Sequence, residues 1–228
     1  LFCESPVHTD EYYASRTASL MTPLPPDTVS IPDPTGVITP ERVKTLVTAM
    51  QKQLNGLPLE LHSHCTTGLA PIAYLEAIKL GVKTLHTAVP PLANGNSQPS
   101  LFNILKNARR MGFTMDIDEA AANAESEHFQ FVARREGKPV GMPVEYDVFQ
   151  YQHQIPGGML SNLEFMLAER NLSHRLDDVL EEIAKIRFEW GYPIMVTPFS
   201  QILGTQAMIN VVSGQRYSMA PQETILYL

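Results

Sequence analysis

Apolar positions in the first half of the chain alternate between two spacings. Short apolar runs at residues 29–31, 59–64 and 84–89 have the length of strands. Between them, and again at 98–111, apolar residues recur every three or four positions, which is the spacing of one buried helix face. Repeated strand–helix units of about 30 residues indicate parallel strands joined by right-handed crossovers. The expected fold is α/β, either a doubly wound sheet or a β/α barrel.

Local signals mark where the helices of this half begin and end. Thr39, Pro40 and Glu41 supply an N-cap, a proline at the first helical position and an acid in the first turn. The buried face of the helix that follows is predicted to comprise Val43, Leu46, Val47, Met50 and Leu54. A second helix is expected at 68–80, closed by Gly81.

The strand–helix alternation stops after Gly112. Three later segments have helical spacing: 117–135, 173–190 and 200–212. The stretch 144–155 is expected to be extended, and Pro-Gly-Gly at 156–158 predicts a turn. We therefore divide the chain into 1–118, with the strand–helix units, and 119–228, a mainly helical C-terminal region.

Composition indicates which classes of partner and which cellular compartment to expect. Among 228 residues, 17 are basic and 24 acidic, giving a net charge of -7, and no Lys/Arg cluster suits a nucleic-acid partner. The sequence has neither a long apolar run for membrane insertion nor a signal peptide, so a cytoplasmic location is expected. Cys3 and Cys65 are too few for a disulfide framework. Because the first residue is Leu1 rather than Met, we expect a processed, trimmed or partial sequence.

The triplet His62-Ser63-His64 is the strongest chemical signal. Side chains two residues apart on a strand share one face, so His62 and His64 can bind one metal ion. Catalytic sites usually need a third protein ligand, and the alternative is a pair of hydrogen-bonded strand-end histidines. Cys65 points to the opposite face from His64, which favours a small buried residue over a ligand.

The other histidines give weaker signals. His86, His128 and His174 have no acidic or histidine neighbour at ligand spacing, so surface or structural roles are expected. A structural role is also favoured for His153, because Pro-Gly-Gly follows it closely and indicates tight backbone packing.

Five motifs in order resemble the biotin-dependent carboxyltransferase barrels, a family that includes the oxaloacetate decarboxylase alpha subunit, the pyruvate carboxylase carboxyltransferase domain and transcarboxylase. Three motifs resemble its fourth, fifth and sixth strand ends: Ser-Pro-Val-His-Thr at 5–9, Asp-Pro-Thr-Gly-Val-Ile-Thr-Pro at 33–40 and His-Ser-His-Cys-Thr-Thr-Gly at 62–68. Two lie further on: Ser-Gln-Pro at 97–99, and Gln-His-Gln-Ile-Pro-Gly-Gly at 152–158 followed by Ser-Asn-Leu at 161–163. The histidine motif also occurs in the wider superfamily of isopropylmalate synthase, whereas the run at 152–158 is specific to the carboxyltransferase branch.

The resemblance implies a partial (β/α)8 TIM-type barrel, from about strand four to strand eight, with a helical C-terminal extension. In such barrels the active site lies at the C-terminal ends of the strands. The implied site has His62 and His64 as ligands of a divalent ion of the Zn, Mn or Co type. Gln98 is expected to bind substrate and Asn96 to take the catalytic position. The implied substrate is a small 2-oxo acid such as pyruvate or oxaloacetate, and biotin is delivered by a partner protein or domain.

The sequence departs from the family pattern at three places. Pro32 stands where the family has a carbamylated lysine ligand, and a proline ring cannot coordinate a metal. Asn96 replaces the threonine that relays a proton; an amide can only hydrogen-bond an enolate oxygen. The first three strand–helix units, with their Asp-Gly-x-x-Arg ligand segment, have no counterpart. We therefore expect upstream sequence, another chain or self-association to cover the open barrel.

Two functions follow as hypotheses. The first is metal-dependent carboxyl transfer or decarboxylation of a 2-oxo acid with biotin as carrier, impaired by the changes at Pro32 and Asn96. The alternative is a catalytically decayed homologue that acts as a structural or interaction subunit. A metal-dependent aldol-type lyase or acyl transferase of the wider superfamily is a third hypothesis, against which the run at 152–158 argues.

Overall fold

The structure is a computed structural model that describes residues 9–21 and 26–228, which fall into two compact units divided between Tyr146 and Asp147. The first unit contains, in chain order, α1 (Asp10–Met21), β1 (Val29–Asp33), α2 (Pro40–Gln53), β2 (Leu59–Ser63), α3 (Ala70–Lys79), β3 (Thr84–Leu85), α4 (Leu101–Arg110) and α5 (Glu119–Glu136). The second contains α6 (Gln150–His153), α7 (Gly157–Ala168), a 3-10 turn (Ser173–Arg175), α8 (Leu176–Glu189), α9 (Phe199–Ser213) and α10 (Gln222–Tyr227). The domain division predicted after residue 118, between a half-barrel at 1–118 and a barrel-closing and helical region at 119–228, stays a prediction. The motif at 5–9 lies, except for Thr9, outside the described residues.

The strands form one parallel sheet in the order β1-β2-β3. Its register pairs Val29 with Leu59 and continues to Asp33 opposite Ser63. Helices connect the consecutive strands, which confirms the α/β prediction. Parallel strands point the same way, so the C-terminal ends of β1 and β2 meet at one edge of the sheet.

Helix α2 shows how local sequence sets this architecture. The Thr39 hydroxyl accepts a hydrogen bond from the Arg42 backbone N–H at 3.1 Å, and Pro40 is the first helical residue. The predicted apolar face is buried in the core of the first unit: Val43, Leu46, Val47, Met50 and Leu54. Burying each large side chain contributes about 1.5–3 kcal/mol, so packing rather than capping holds the helix.

Four predicted elements were misplaced. The stretch 144–155 is not extended throughout, because helix α6 (Gln150–His153) lies within it. Strand β3 stops at Leu85 rather than at 89, because the chain beyond it pairs through Ala88 with Ser100 outside the main sheet. Helix α4 begins at Leu101 rather than at 98, with Ser100 as its N-cap. The predicted turn at 156–158 is the start of α7, since Pro156 occupies the N-cap and Gly157 is already helical.

Helices α8 and α9 pack together in the second unit, and a polar network that starts at the buried Glu182 adds to this contact. The Glu182 carboxylate accepts hydrogen bonds from Asn210 Nδ2 and Arg216 Nε, both at 2.7 Å. Arg216 also contacts both carboxylate oxygens of Glu189. Bidentate arginine–carboxylate pairs are strong and directional, so they fix how these elements meet. Across residues 9–21 and 26–228, no helix is both long enough and apolar enough to cross a membrane.

Candidate metal and substrate site

The two faces of β2 and of the residue that follows it differ in burial. One face is fully buried: Leu59, Leu61 and Ser63. Glu60, His62 and His64 alternate with these residues and are half-buried on the other face. Because successive strand side chains point to opposite sides, the two histidines share a face with a carboxylate.

Asp33 fixes the neighbouring strand end. Its carboxylate is fully buried and accepts four hydrogen bonds, from Val37 N at 3.1 Å, Ile38 N at 3.0 Å, Thr35 Oγ1 at 3.1 Å and Ser63 Oγ at 2.7 Å. Burial raises the pKa of Asp33, while these hydrogen bonds oppose the rise. Both carboxylate oxygens are occupied, so Asp33 joins the turn after β1 to the end of β2 and has no oxygen left for an ion.

Gly36, in the same turn, allows the close approach of the next strand end. Its φ is +67°, and a Cβ atom there would lie 2.1 Å from Thr66 Oγ1 and 2.6 Å from the His64 carbonyl oxygen. Only glycine accommodates that backbone conformation and that contact without strain. The Asp-Pro-Thr-Gly segment therefore supports the backbone of the histidine motif.

His64 is held by the loop that contains Asn96 and Gln98. Its Nδ1–H donates to the Asn96 carbonyl oxygen at 2.6 Å, and its Nε2 lies 3.1 Å from Gln98 Nε2, which donates to it. The Cys65 N–H donates to the Ser97 carbonyl at 2.8 Å and keeps the loop beside β2. Burial lowers the pKa of His64, opposed by the Asn96 hydrogen bond and the Asp33 charge. A carbonyl only accepts, so His64 carries its lone pair on Nε2.

His62 lies beside His64, with ring centroids 5.1 Å apart. Burial, and then the proximity of His64 and His86, lowers the pKa of His62 to about 4. The imidazole is therefore neutral near pH 7, which is the form that binds metal ions.

His86 joins this cluster, contrary to the expectation from sequence. Its Nε2 lies 3.2 Å from Glu60 Oε2, and its Nδ1 lies 3.2 Å from His62 Nδ1. No acidic or histidine residue lies at ligand spacing from His86 in the sequence; its two partners come from β2 instead. The available signal was its place within the strand predicted at 84–89, because neighbouring parallel strands bring their residues together in space.

The side chains that face the histidines fit part of a metal site. His62 and His64 are neutral imidazoles, which suit Zn and similar divalent ions. Pro32 is paired with His62 in the sheet and offers no ligating atom. Within the described ranges, no group of three or more His, Cys, Asp or Glu side chains is arranged to hold an ion. These residues therefore supply two donors and do not complete a site by themselves.

The remaining candidates have structural surroundings. Cys65 is buried, and burial raises its pKa to about 12, so it remains a neutral thiol. His153 is also buried, and its Nδ1 accepts a hydrogen bond from the Ile155 N–H at 3.1 Å. His128 and His174 are exposed.

Comparison with known proteins places both halves of the chain. Residues 1–127 match the HMGL-like family model, and residues 151–228 match the conserved carboxylase domain model. A pyruvate carboxylase subunit of Methanothermobacter thermautotrophicus is 39% identical over 222 residues, covering 96% of this chain and 38% of that protein. The 2-oxoglutarate carboxylase large subunit of Hydrogenobacter thermophilus is 29% identical over 228 residues, covering 100% of this chain and 35% of that protein.

A solved structure shows the same architecture. The carboxyl transferase domain of Rhizobium etli pyruvate carboxylase superposes with a TM-score of 0.80 at 25% identity, covering 94% of this chain and 36% of that one. This chain thus spans little more than a third of the length of these proteins. The predicted partial TIM-type barrel is confirmed. The chain belongs to the HMGL-like family, in its branch of biotin-dependent carboxyltransferase barrels.

Proposed function

We propose that the chain forms part of a metal-dependent site that moves a carboxyl group between a small 2-oxo acid and biotin. The substrate class is pyruvate or oxaloacetate, with 2-oxoglutarate as the related case suggested by the Hydrogenobacter relative. His62 and His64 are the proposed ligands of the ion. A bound divalent ion supplies Lewis-acid polarisation of the substrate keto oxygen.

One observation carries this proposal: the lone pair of the His64 ring is on Nε2. Its Nδ1–H is committed to the Asn96 carbonyl, which is the usual arrangement of a metal-binding histidine. His62, neutral and on the same face, is the second donor. Such an arrangement favours an ion-binding role over a purely structural pair of histidines.

Gln98 is the proposed substrate-binding residue. Its amide donates to His64 Nε2 at 3.1 Å. Once that nitrogen binds an ion, the amide hydrogens are free to donate to a substrate carboxylate beside it.

Asn96 has two proposed roles. Its backbone carbonyl orients His64, and its side-chain amide donates to the developing enolate oxygen. An amide does not relay a proton as a hydroxyl does, so we expect turnover to be slower than in a threonine-containing relative.

The proposal needs groups that the described residues do not supply. The other ion ligands come from elsewhere on the polypeptide or from a partner that covers the open side of the sheet. Biotin arrives on a carrier protein or domain, as expected for this family.

The rival proposal is a structural subunit that has lost catalysis. Pro32 favours it, because the residue aligned with the family lysine pairs with His62 and cannot coordinate. Asn96 favours it too, for lack of a proton-relaying hydroxyl.

Two measurements separate these proposals. Metal content is determined on the purified chain, alone and with any co-purifying protein. Oxaloacetate decarboxylation is then compared between the wild type and His62→Ala/His64→Ala, with the exposed His128→Ala as control. Loss of activity in the double variant alone supports the enzyme. Absence of metal from both preparations supports the structural role.

A further inference from the structure

His62, His86 and Glu60 form a hydrogen-bonded chain across two strands. Glu60 and His62 share one face of β2, and Glu60 is paired with Thr84 on β3. The His86 N–H donates to the Leu61 carbonyl at 3.0 Å, which sets His86 level with His62. The sheet register therefore aligns these side chains, and no loop has to order for them to meet.

The carboxylate of Glu60, at the end of this hydrogen-bonded series, determines which ring nitrogens carry hydrogen. A carboxylate oxygen accepts, so the contact at 3.2 Å has His86 Nε2 as the donor and Glu60 Oε2 as the acceptor. When Nε2 carries the single ring hydrogen of His86, its lone pair is on Nδ1, which lies 3.2 Å from His62 Nδ1. Two lone pairs would repel at this distance, so the hydrogen between them belongs to His62.

We infer that Glu60 and His86 are positioning residues, which hold His62 as its Nδ1–H tautomer with the Nε2 lone pair free for a divalent ion. His64 reaches the same tautomer by a different contact, the Asn96 carbonyl. Both imidazoles are then set to bind through Nε2 without rotation or proton exchange. Carboxylate–histidine pairs that orient a metal-binding histidine typically change metal affinity by about 10- to 100-fold.

This inference rests on the proposed metal site, but its first test needs no metal. The full chain is labelled with ¹⁵N-histidine, and long-range ¹H–¹⁵N spectra near neutral pH report which ring nitrogen of each histidine carries hydrogen. We expect hydrogen on Nδ1 of His62 and His64 and on Nε2 of His86. Hydrogen on Nε2 of His62, or on both nitrogens of His86, would overturn the inference.

Variants test the direction of the effect. His86→Leu removes the acceptor, so His62 should shift towards the Nε2–H tautomer while His64 keeps its own. Glu60→Ala should shift His62 in the same direction. His86→Asn restores an acceptor oxygen close to the position of Nδ1 and should restore the tautomer. His128→Leu, an exposed histidine on α5, is the matched control and should change nothing.

Zinc titration by calorimetry supplies the second readout. The Kd for Zn²⁺ should rise about 10- to 100-fold in His86→Leu, recover in His86→Asn and stay constant in His128→Leu. An unchanged His62 tautomer in a folded His86→Leu variant would overturn the inference, as would zinc bound through His62 Nδ1. If His86→Leu does not fold, the tautomers measured in the wild-type protein still test the inference. If the tautomers are as expected but the wild type binds no ion, the inference stands and the proposed function fails.

Discussion

His62 in the first unit and His153 in the second have the same electrostatic signature and different surroundings. Burial is the main cause that lowers the pKa of each to about 4. The Nδ1 lone pair of His153 is occupied by the Ile155 N–H of its own turn. His62 instead faces two other histidines on a half-buried strand face. A depressed pKa therefore does not identify a functional histidine; the partners of its ring nitrogens and its neighbours on the strand face do.

The most disruptive change on the functional side of this comparison is His62→Ala/His64→Ala. Removing both donors should weaken Zn²⁺ binding by more than about 100-fold, since changes to the supporting residues alone cost about 10- to 100-fold. Calorimetry measures the affinity, with His153→Leu as the control. Unchanged zinc affinity in the double variant would place the ion elsewhere.

His153→Leu tests the structural side. It leaves the buried Ile155 N–H without its acceptor, and we expect a loss of about 2 kcal/mol in the free energy of unfolding. Urea denaturation measures this loss, and the exposed His174→Leu should cost little. Zinc affinity should not change in His153→Leu. A loss of affinity as large as that of His62→Ala/His64→Ala would contradict a purely structural role for His153.

Pro32→Glu adds a possible third metal ligand to the face that carries His62 and His64. Position 32 pairs with His62 and projects from the same face, so a carboxylate there can act as a third ligand. We expect Zn²⁺ to bind at least about 10-fold tighter, the lower end of the changes seen beside metal ions. Pro32→Gln, which has the same length without the charge, is the control. Equal affinities for the two variants would mean that position 32 does not reach the ion.

The smallest expected effect is on the pH dependence of stability. His153 has a folded pKa of about 4, below its usual 6.5, so the unfolded state binds its proton first as the pH falls. The stabilising contribution of neutral His153 is complete above pH about 6.5 and decreases towards pH 4. Between pH 7 and about 5, the free energy of unfolding should fall less steeply in His153→Leu than in the wild type. Equal pH dependence of the free energy of unfolding in the two proteins would show that burial does not lower the pKa of His153.

Sequence patterns predicted the elements that depend on residues close together in the chain, such as a helix N-cap or the alternation along a strand. Helix α2 begins where Thr39 and Pro40 indicate, and alternation along β2 correctly assigns His62 and His64 to one face. The family motifs identified the barrel, which periodicity alone left open between two α/β folds. Gly157 was misassigned because Pro-Gly-Gly suits both a turn and a helix start, and only the backbone at Pro156 decides between them.

The supporting residues of the site could not be predicted in the same way. Glu60 and His86 are 26 positions apart and meet only because β2 and β3 pair in one particular register. A shift of one residue would turn Glu60 to the opposite face. The contact between His64 and the Asn96 backbone likewise depends on a loop path, which residue identities do not encode.

In the proposed site, His62 and His64 together present their Nε2 atoms to one divalent ion. Titrating the ¹⁵N-histidine-labelled chain with Zn²⁺ and following each ring nitrogen tests it most directly. We expect the Nε2 resonances of His62 and His64 to shift together with one affinity, while those of His128, His153 and His174 do not move. Zinc-induced shifts confined to other histidines, or no shift at His62 and His64 at saturating zinc, would contradict it.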